Sequence, residues 1–237
     1  MERGHREAMM TIRRRRLLQL YILLFITSAA CLQGQVRDFQ SWWELELEKK
    51  ITGKLDLNAE LEQRFKNNSL EYSRSLLTLG ASYDPLDYLR IAGGTRMVLV
   101  KEGEQGLGMR YRIHLEGRGS YVLSGFDLSL RSRIQYGFED FLILRYFAIN
   151  KLVNRNRVKV ARHISGTRFG WFASAESWHG QGNDSRWITF AMRYTAGLRF
   201  SPNFTSRLSL RYMLEDEFNV ANPRQLHVLV MGYSHRL

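Results

Sequence analysis

KLDLNAELEQRF, residues 54–65, alternates along its whole length. Leu55, Leu57, Ala59, Leu61 and Phe65 fall on one face of an extended strand, and Lys54, Asp56, Asn58, Glu60, Glu62 and Arg64 fall on the other. The period is two, the spacing of a strand, and not the 3.6 of a helix. Two environments suit such a strand. Either the apolar face packs into a soluble core, or it faces lipid around a polar interior.

The same pattern recurs on both sides of this stretch. In residues 42–51, Trp43, Leu45, Leu47 and Ile51 oppose Glu44, Glu46 and Glu48. Residues 72–83 carry Leu77, Leu79, Ala81 and Tyr83 opposite Arg74, Thr78 and Gly80; residues 88–100 set Leu89, Ile91, Met97 and Leu99 against Arg90, Gly94 and Arg96. Residues 107–121 alternate Met109, Tyr111, Ile113 and Leu115 with Arg110, Arg112, His114, Glu116 and Arg118. Residues 126–138 alternate Phe126, Leu128, Leu130, Ile134 and Tyr136 with Asp127, Ser129, Arg131, Arg133 and Gln135. Further segments are expected at 155–164, 168–178, 187–200, 206–216 and 225–237, with turns at Thr52-Gly53, Asp84-Pro85-Leu86-Asp87, Ser124-Gly125 and Ser201-Pro202-Asn203.

The count is about eleven strands, or twelve if residues 141–149 supply one. Bacterial outer-membrane barrels usually have an even number. That leads to two expectations: a twelfth strand at 141–149, or a first segment lying outside a ten-stranded barrel.

Composition narrows the choice. The chain has 237 residues, 44% apolar and 12% aromatic, with three prolines, enough for one sizeable ordered domain. Six of its arginines lie within residues 1–34, and removing that segment lowers the formal charge from +12 to about +8. The remaining charges alternate with apolar residues along strands, and no nucleic-acid motif is present, so nucleic acid is not expected as a partner.

Arg13 to Arg16 followed by the apolar run at 17–30 reads as a signal peptide over residues 1–34, too short to span a bilayer. Ser28 with Ala30, or Ala29 with Cys31, offers a cleavage point. Cys31 is the only cysteine, and Ser28 stands where a lipobox would have leucine. The exported domain, residues 35–237, is thus expected to fold without disulfides.

The strands run 10–15 residues, against the 5 or 6 common in soluble sheets and the roughly 9–11 a tilted membrane strand needs. Aromatics gather near segment ends, among them Trp42, Trp43, Tyr83, Tyr88, Tyr121, Trp178, Trp187 and Phe204, as at a headgroup boundary. The polar face decides. Acids crowd the first two segments and arginines the later ones, so closing the sheet places both signs around one interior where they can pair. The fold expected is an all-β, antiparallel up-and-down transmembrane β-barrel of 10–12 strands in the outer membrane of a Gram-negative bacterium. Its lumen is expected to be lined by Glu44, Glu46, Glu60, Glu62, Arg90, Arg96, Arg110, Arg112, Arg131, Arg133, Arg193 and Arg211.

The segments SWWELELEKKITGKLDLNAELEQRF, SLRSRIQYGFEDF, RNRVKVARHI with FASAESW, and HVLVMGYSHRL resemble those of the domain-of-unknown-function family numbered 2490, predicted outer-membrane barrels. The resemblance covers nearly everything after residue 38. It implies a barrel in contact with outer-membrane lipid and lipopolysaccharide, inserted by the barrel-assembly machinery, and it brings no known activity.

Chemistry finds little support. An acyl hydrolase is one alternative, with His163, Ser165 and Glu176 as its residues, but a hairpin turn at 165–167 leaves Glu176 about 20 Å along the sheet from His163. His114, His179, His227 and His235 lack metal-ligand spacing. Glu102, Glu104, Asp184, Glu215, Asp216 and Glu217 read as loop acids of a type that can bind a divalent cation but is more often just solvated, and no metal is expected. No nucleotide fingerprint is present and no cofactor is expected. The function expected is a non-enzymatic narrow or plugged barrel, structural or passing a limited range of solutes. The other alternative is a soluble, secreted, lipocalin-like binding barrel.

Overall fold

The structure is a computed structural model and describes residues 36–101, 106–139, 152–181 and 186–237. The expected signal peptide and the segment 141–149 lie outside the described residues. Eleven strands follow one another: β1 (Val36–Lys50), β2 (Leu55–Lys66), β3 (Glu71–Leu86), β4 (Leu89–Lys101), β5 (Leu107–Leu123), β6 (Phe126–Glu139), β7 (Leu152–His163), β8 (Phe169–Gln181), β9 (Trp187–Phe200), β10 (Ser206–Glu217) and β11 (Arg224–Arg236).

Each pairs with its sequence neighbours, and β11 returns to β1 to close a barrel. All pairings between consecutive strands are antiparallel. With an odd strand number, the closing pair must therefore run parallel. The Leu237 N–H accordingly meets the Glu48 carbonyl at 2.8 Å, the end of β11 against the end of β1. The expectation of a first segment outside the barrel is corrected, since β1 pairs with β2 and closes the barrel with β11. The ladder joins β6 to β7 from Tyr136↔Leu152 onward, and the other expectation, a strand at 141–149, falls outside the described residues. A closed parallel pair satisfies the backbone as fully as an antiparallel one.

The faces are unambiguous. Leu45, Leu57, Leu61, Leu79, Ile91, Leu115, Leu130, Ile134, Val158, Leu198 and Leu210 are exposed on the outside. Glu62, Glu116, Arg131, Arg155, Glu176 and Glu215 are buried on the inside. The leucines of residues 54–65 face outward, which removes the lipocalin-like alternative, whose apolar face would be inside. A band of aliphatic side chains around a closed, charged interior is the surface of a membrane barrel. Its interior also holds a small apolar cluster of Trp42, Met213, Leu226, Val228 and Val230 beside the closing seam.

One rim is built from short turns. Ser124 and Gly125 join β5 to β6 with φ of 50° and 78°, the positive pair that matches strand twist in a two-residue hairpin. The β3–β4 reversal differs from expectation. β3 runs on to Leu86, and the ladder slips between Tyr83 and Leu86, where Pro85 has no N–H to give. Exposed aromatics mark both rims: Tyr83, Tyr88, Tyr121, Phe169 and Phe204 at the short-turn rim, and Phe39, Tyr111, Tyr136 and Trp187 toward the other.

Strands β3 and β4 meet closely on the inner face. Gly80 stands opposite Gly94, and a Cβ at Gly94 would lie 2.5 Å from the Leu79 carbonyl oxygen, 2.9 Å from the His114 ring and 3.0 Å from the Gly80 Cα. Two of these three obstacles are backbone. Gly94→Val is therefore expected to destabilise the barrel by about 1–3 kcal/mol in urea unfolding, whereas Gly117→Ala, which meets nothing within 4 Å, should be nearly neutral.

Candidate functional site

The interior encloses a cavity of about 340 Å³. Ten of the twelve residues expected in the lumen line it: Glu44, Glu46, Glu60, Glu62, Arg96, Arg112, Arg131, Arg133, Arg193 and Arg211. Arg90 does not. It sits at the short-turn rim, where its Nε and Nη2 donate to Asp84 at 2.6 Å each and Nη2 to Asp56 at 3.3 Å. Arg110 lies toward the opposite rim, also outside the lining.

The acids on β1 and β2 face one another directly, Glu44 against Glu62 and Glu46 against Glu60. Like charges in such positions repel, so cations must answer them. Arg211 reaches from β10 over β11 to Glu44. Arg96 reaches from β4 over the small inner residues of β3, donating to Thr78 at 2.7 Å and to Glu60 at 3.3 Å. Arg64 pairs with Glu62 on its own strand.

The other side of the lumen is organised by three acids. Glu116 on β5 takes Arg133 at 2.6 Å, Arg118 at 3.2 Å and Arg131 at 3.6 Å. Glu176 on β8 takes Arg131 from β6, Arg155 from β7 at 2.6 Å and Arg193 from β9 at 3.9 Å, and accepts the Trp178 indole N–H at 3.3 Å. Glu215 on β10 takes Arg193. Two indoles complete the arrangement: Arg64 stacks 3.4 Å over Trp42, Arg155 4.0 Å over Trp178, and Arg193 lies 4.8 Å from Trp178 and 5.6 Å from Trp42.

These contacts form a belt round the interior. It runs from Glu116 through Arg131, Glu176, Arg193, Trp42, Arg64 and Glu62 to Arg96, that is, from β5 by way of β8, β9 and β1 to β4. Few strands enclose this belt, and long paired side chains fill much of the space they leave.

Several of these residues depart from the sequence reading. Trp42 and Trp178 face inward over guanidinium groups and are not part of a headgroup belt. Their signal was in the alternation, since Trp42 shares a face with Glu44, and Trp178 with Glu176. Glu215 is not a loop acid. It lies within β10, 8% exposed and paired with Arg193. Asp216 and Glu217 also belong to β10, where Asp216 accepts from Gln225 at 2.8 Å, while Glu102, Glu104 and Asp184 fall outside the described residues. Among the described residues no group of three histidine, cysteine or acidic side chains is placed to hold a metal.

The alternation of 155–164 already set Arg157 and Lys159 on a polar face opposite Val158 and Val160, but the expected lumen lining omitted them and Arg155, and all three line the cavity. As for the hydrolase alternative, His163 pairs with Gly170 and Glu176 with Arg157, six residues apart on β8. That spacing is about 20 Å, and Glu176 is already occupied by arginines.

The comparison that bears on kinship is with protein families. Residues 39–226 match the family described as "Protein of unknown function (DUF2490)". The chain belongs to this family. No curated protein matches it. Among solved structures, this DUF2490 chain is similar to the NanC porin (12% identity, 80% of this chain and 93% of that one, TM-score 0.48). It is also similar to the translocator domain of the autotransporter NalP from Neisseria meningitidis (14% identity, 75% and 72%, TM-score 0.44) and to a bacterial polysaccharide outer membrane secretin (14%, 78% and 76%, TM-score 0.40).

Proposed function

We propose that this DUF2490 protein is a non-enzymatic barrel of a Gram-negative outer membrane whose lumen is narrowed to a plug by its own ion pairs, with any slow leak favouring small anions. The observation that carries this reading is the belt. Arg155 and Arg193 stand inside it against Glu176, with indole rings on either side, where an open channel would have water. The anion preference rests on charge, since twelve cations and five glutamates line the cavity. In this reading the outer leucines contact membrane lipid and lipopolysaccharide, and the barrel-assembly machinery inserts the chain.

Planar-bilayer recording tests the plug. The wild-type protein is expected to give little or no current. Arg131→Ala with Arg133→Ala, which leaves Glu116 with Arg118 alone and frees one side of Glu176, should open anion-preferring events. Large, stable, unselective wild-type channels would contradict a plug. Location has its own check: the protein should leave the envelope only with detergent.

A further inference from the structure

The belt does not use every cation. On β7, β8 and β9, Lys159, Ser174 and Thr195 are consecutive register partners whose side chains all line the cavity. Arg157 lies two residues from Lys159 on the same inner face, toward the belt. Arg199 lies on β9 toward the short-turn rim. The Phe172 ring sits between them, with the Lys159 Nζ 4.6 Å and the Arg199 guanidinium carbon 4.5 Å from its centroid.

None of these three cations is ion-paired among the described residues, although seven others lining the same cavity have carboxylate partners. The Nε of Arg157 is buried with no acceptor. Neither the Ser174 nor the Thr195 hydroxyl has a hydrogen-bond partner among the described residues. Donors thus converge on one patch of wall without acceptors, and a like-charge cluster in a confined space is costly unless a counter-charge enters.

We propose that this wall binds a small solute through an oxyanion, a phosphate or carboxylate group. Arg157 and Lys159 supply the charge, and Ser174 and Thr195 donate hydroxyl hydrogens, while the buried Phe172 ring packs against the Lys159 and Arg199 cations and holds them in place. Arg199 closes the site on the rim side. Ser209 and Ser234 continue the lining toward the short-turn rim, which gives the solute its entry. The acidic strands β1 and β2 stand away from this wall and hold the anion to it by repulsion. The site rests on the same inward-facing charge as the plug but does not need the plug to be closed.

Isothermal titration of the detergent-solubilised full barrel, at constant ionic strength, with inorganic phosphate and with benzoate as probes tests the site. At least one probe should bind saturably, and which one does distinguishes phosphate from carboxylate as the group recognised. Arg157→Gln with Lys159→Gln should weaken it by about tenfold or more, because charge-assisted hydrogen bonds are lost. Ser174→Ala with Thr195→Ala, a pair that spares the charges, should weaken it about three- to tenfold. Arg207→Gln removes one cation of the same cavity outside the patch and should change affinity by less than about twofold.

No saturable binding of either probe to wild type would overturn the proposal, as would an Arg207→Gln effect as large as that of the patch variants, which would mean only a diffuse positive field. Should the charge-removing pair fail to fold, judged by heat-modifiable gel mobility, the hydroxyl pair decides alone. Conductance of the same preparations separates the two readings. Open wild-type channels with intact binding overturn the plug and leave the site, and silent channels without binding overturn the site and leave the plug.

Discussion

Glu176→Ala is expected to destabilise the barrel by about 3–5 kcal/mol, the cost of stripping the partner from a buried ion cluster. The carboxylate is 3% exposed and is contacted by Arg131, Arg155 and Arg193. Two of these keep other partners, Arg131 with Glu116 and Arg193 with Glu215. Arg155 has no other carboxylate among the described residues, and its guanidinium would remain against the Trp178 ring with no counter-charge from them. Adding Arg155→Met to Glu176→Ala should therefore recover much of the loss, since removing both partners of a buried pair is far milder than removing one. Urea unfolding in lipid vesicles, followed by tryptophan fluorescence, reads both effects. A loss below about 1 kcal/mol would be that of a hydrated pair and would mean that water already fills the belt.

The second large effect belongs to the outer face. Leu115 is the middle residue of the 17-residue strand β5, is 62% exposed, and has Gly93 and Ile134 as its cross-strand neighbours. Leu115→Arg places a guanidinium near the bilayer midplane and should cost about 2–4 kcal/mol. Ser129→Arg, on the inner face of β6 between Asp127 and Arg131, should cost clearly less. The same vesicle-unfolding assay compares them, and equal tolerance would mean that the apolar face does not meet lipid.

How much of this was legible follows from the range of each signal. The alternation in residues 54–65 is local, and it gave the face of every residue in β2 because a strand has only two faces. It also held the clue to Trp42, which shares the face of Glu44, but proximity to a segment end suggested a headgroup anchor instead. Partners were another matter. Glu44 is answered by Arg211, 167 residues away, and Glu60 by Arg96 reaching over β3 past Thr78. Such pairs follow from register and closure, which no window of sequence contains.

Glu176 and Glu215 were hidden for a simpler reason. In β8 apolar residues occupy both faces, Phe172 beside Glu176 inside and Trp171 and Ala173 outside, and in β10 Met213 interrupts the inner polar row. Mixed faces blur a period-two pattern. The count of about eleven strands held, and only the even-number rule misled about β1, because evenness is a habit of bacterial barrels and not a requirement of hydrogen bonding, which the parallel β11–β1 closure also meets.

The orientation of the two faces is tested most directly by lipid quenching. Cys31, the only cysteine, would be replaced by serine, and a single cysteine placed in turn at Ser129, Leu130, Ile134 and Gln135 of β6 and labelled with an environment-sensitive fluorophore. In vesicles of lipids brominated in their acyl chains, strong quenching is predicted at 130 and 134 and little at 129 and 135. Quenching at 129 and 135 with none at 130 and 134 would contradict the inward-facing charge on which the plug and the anion site both depend.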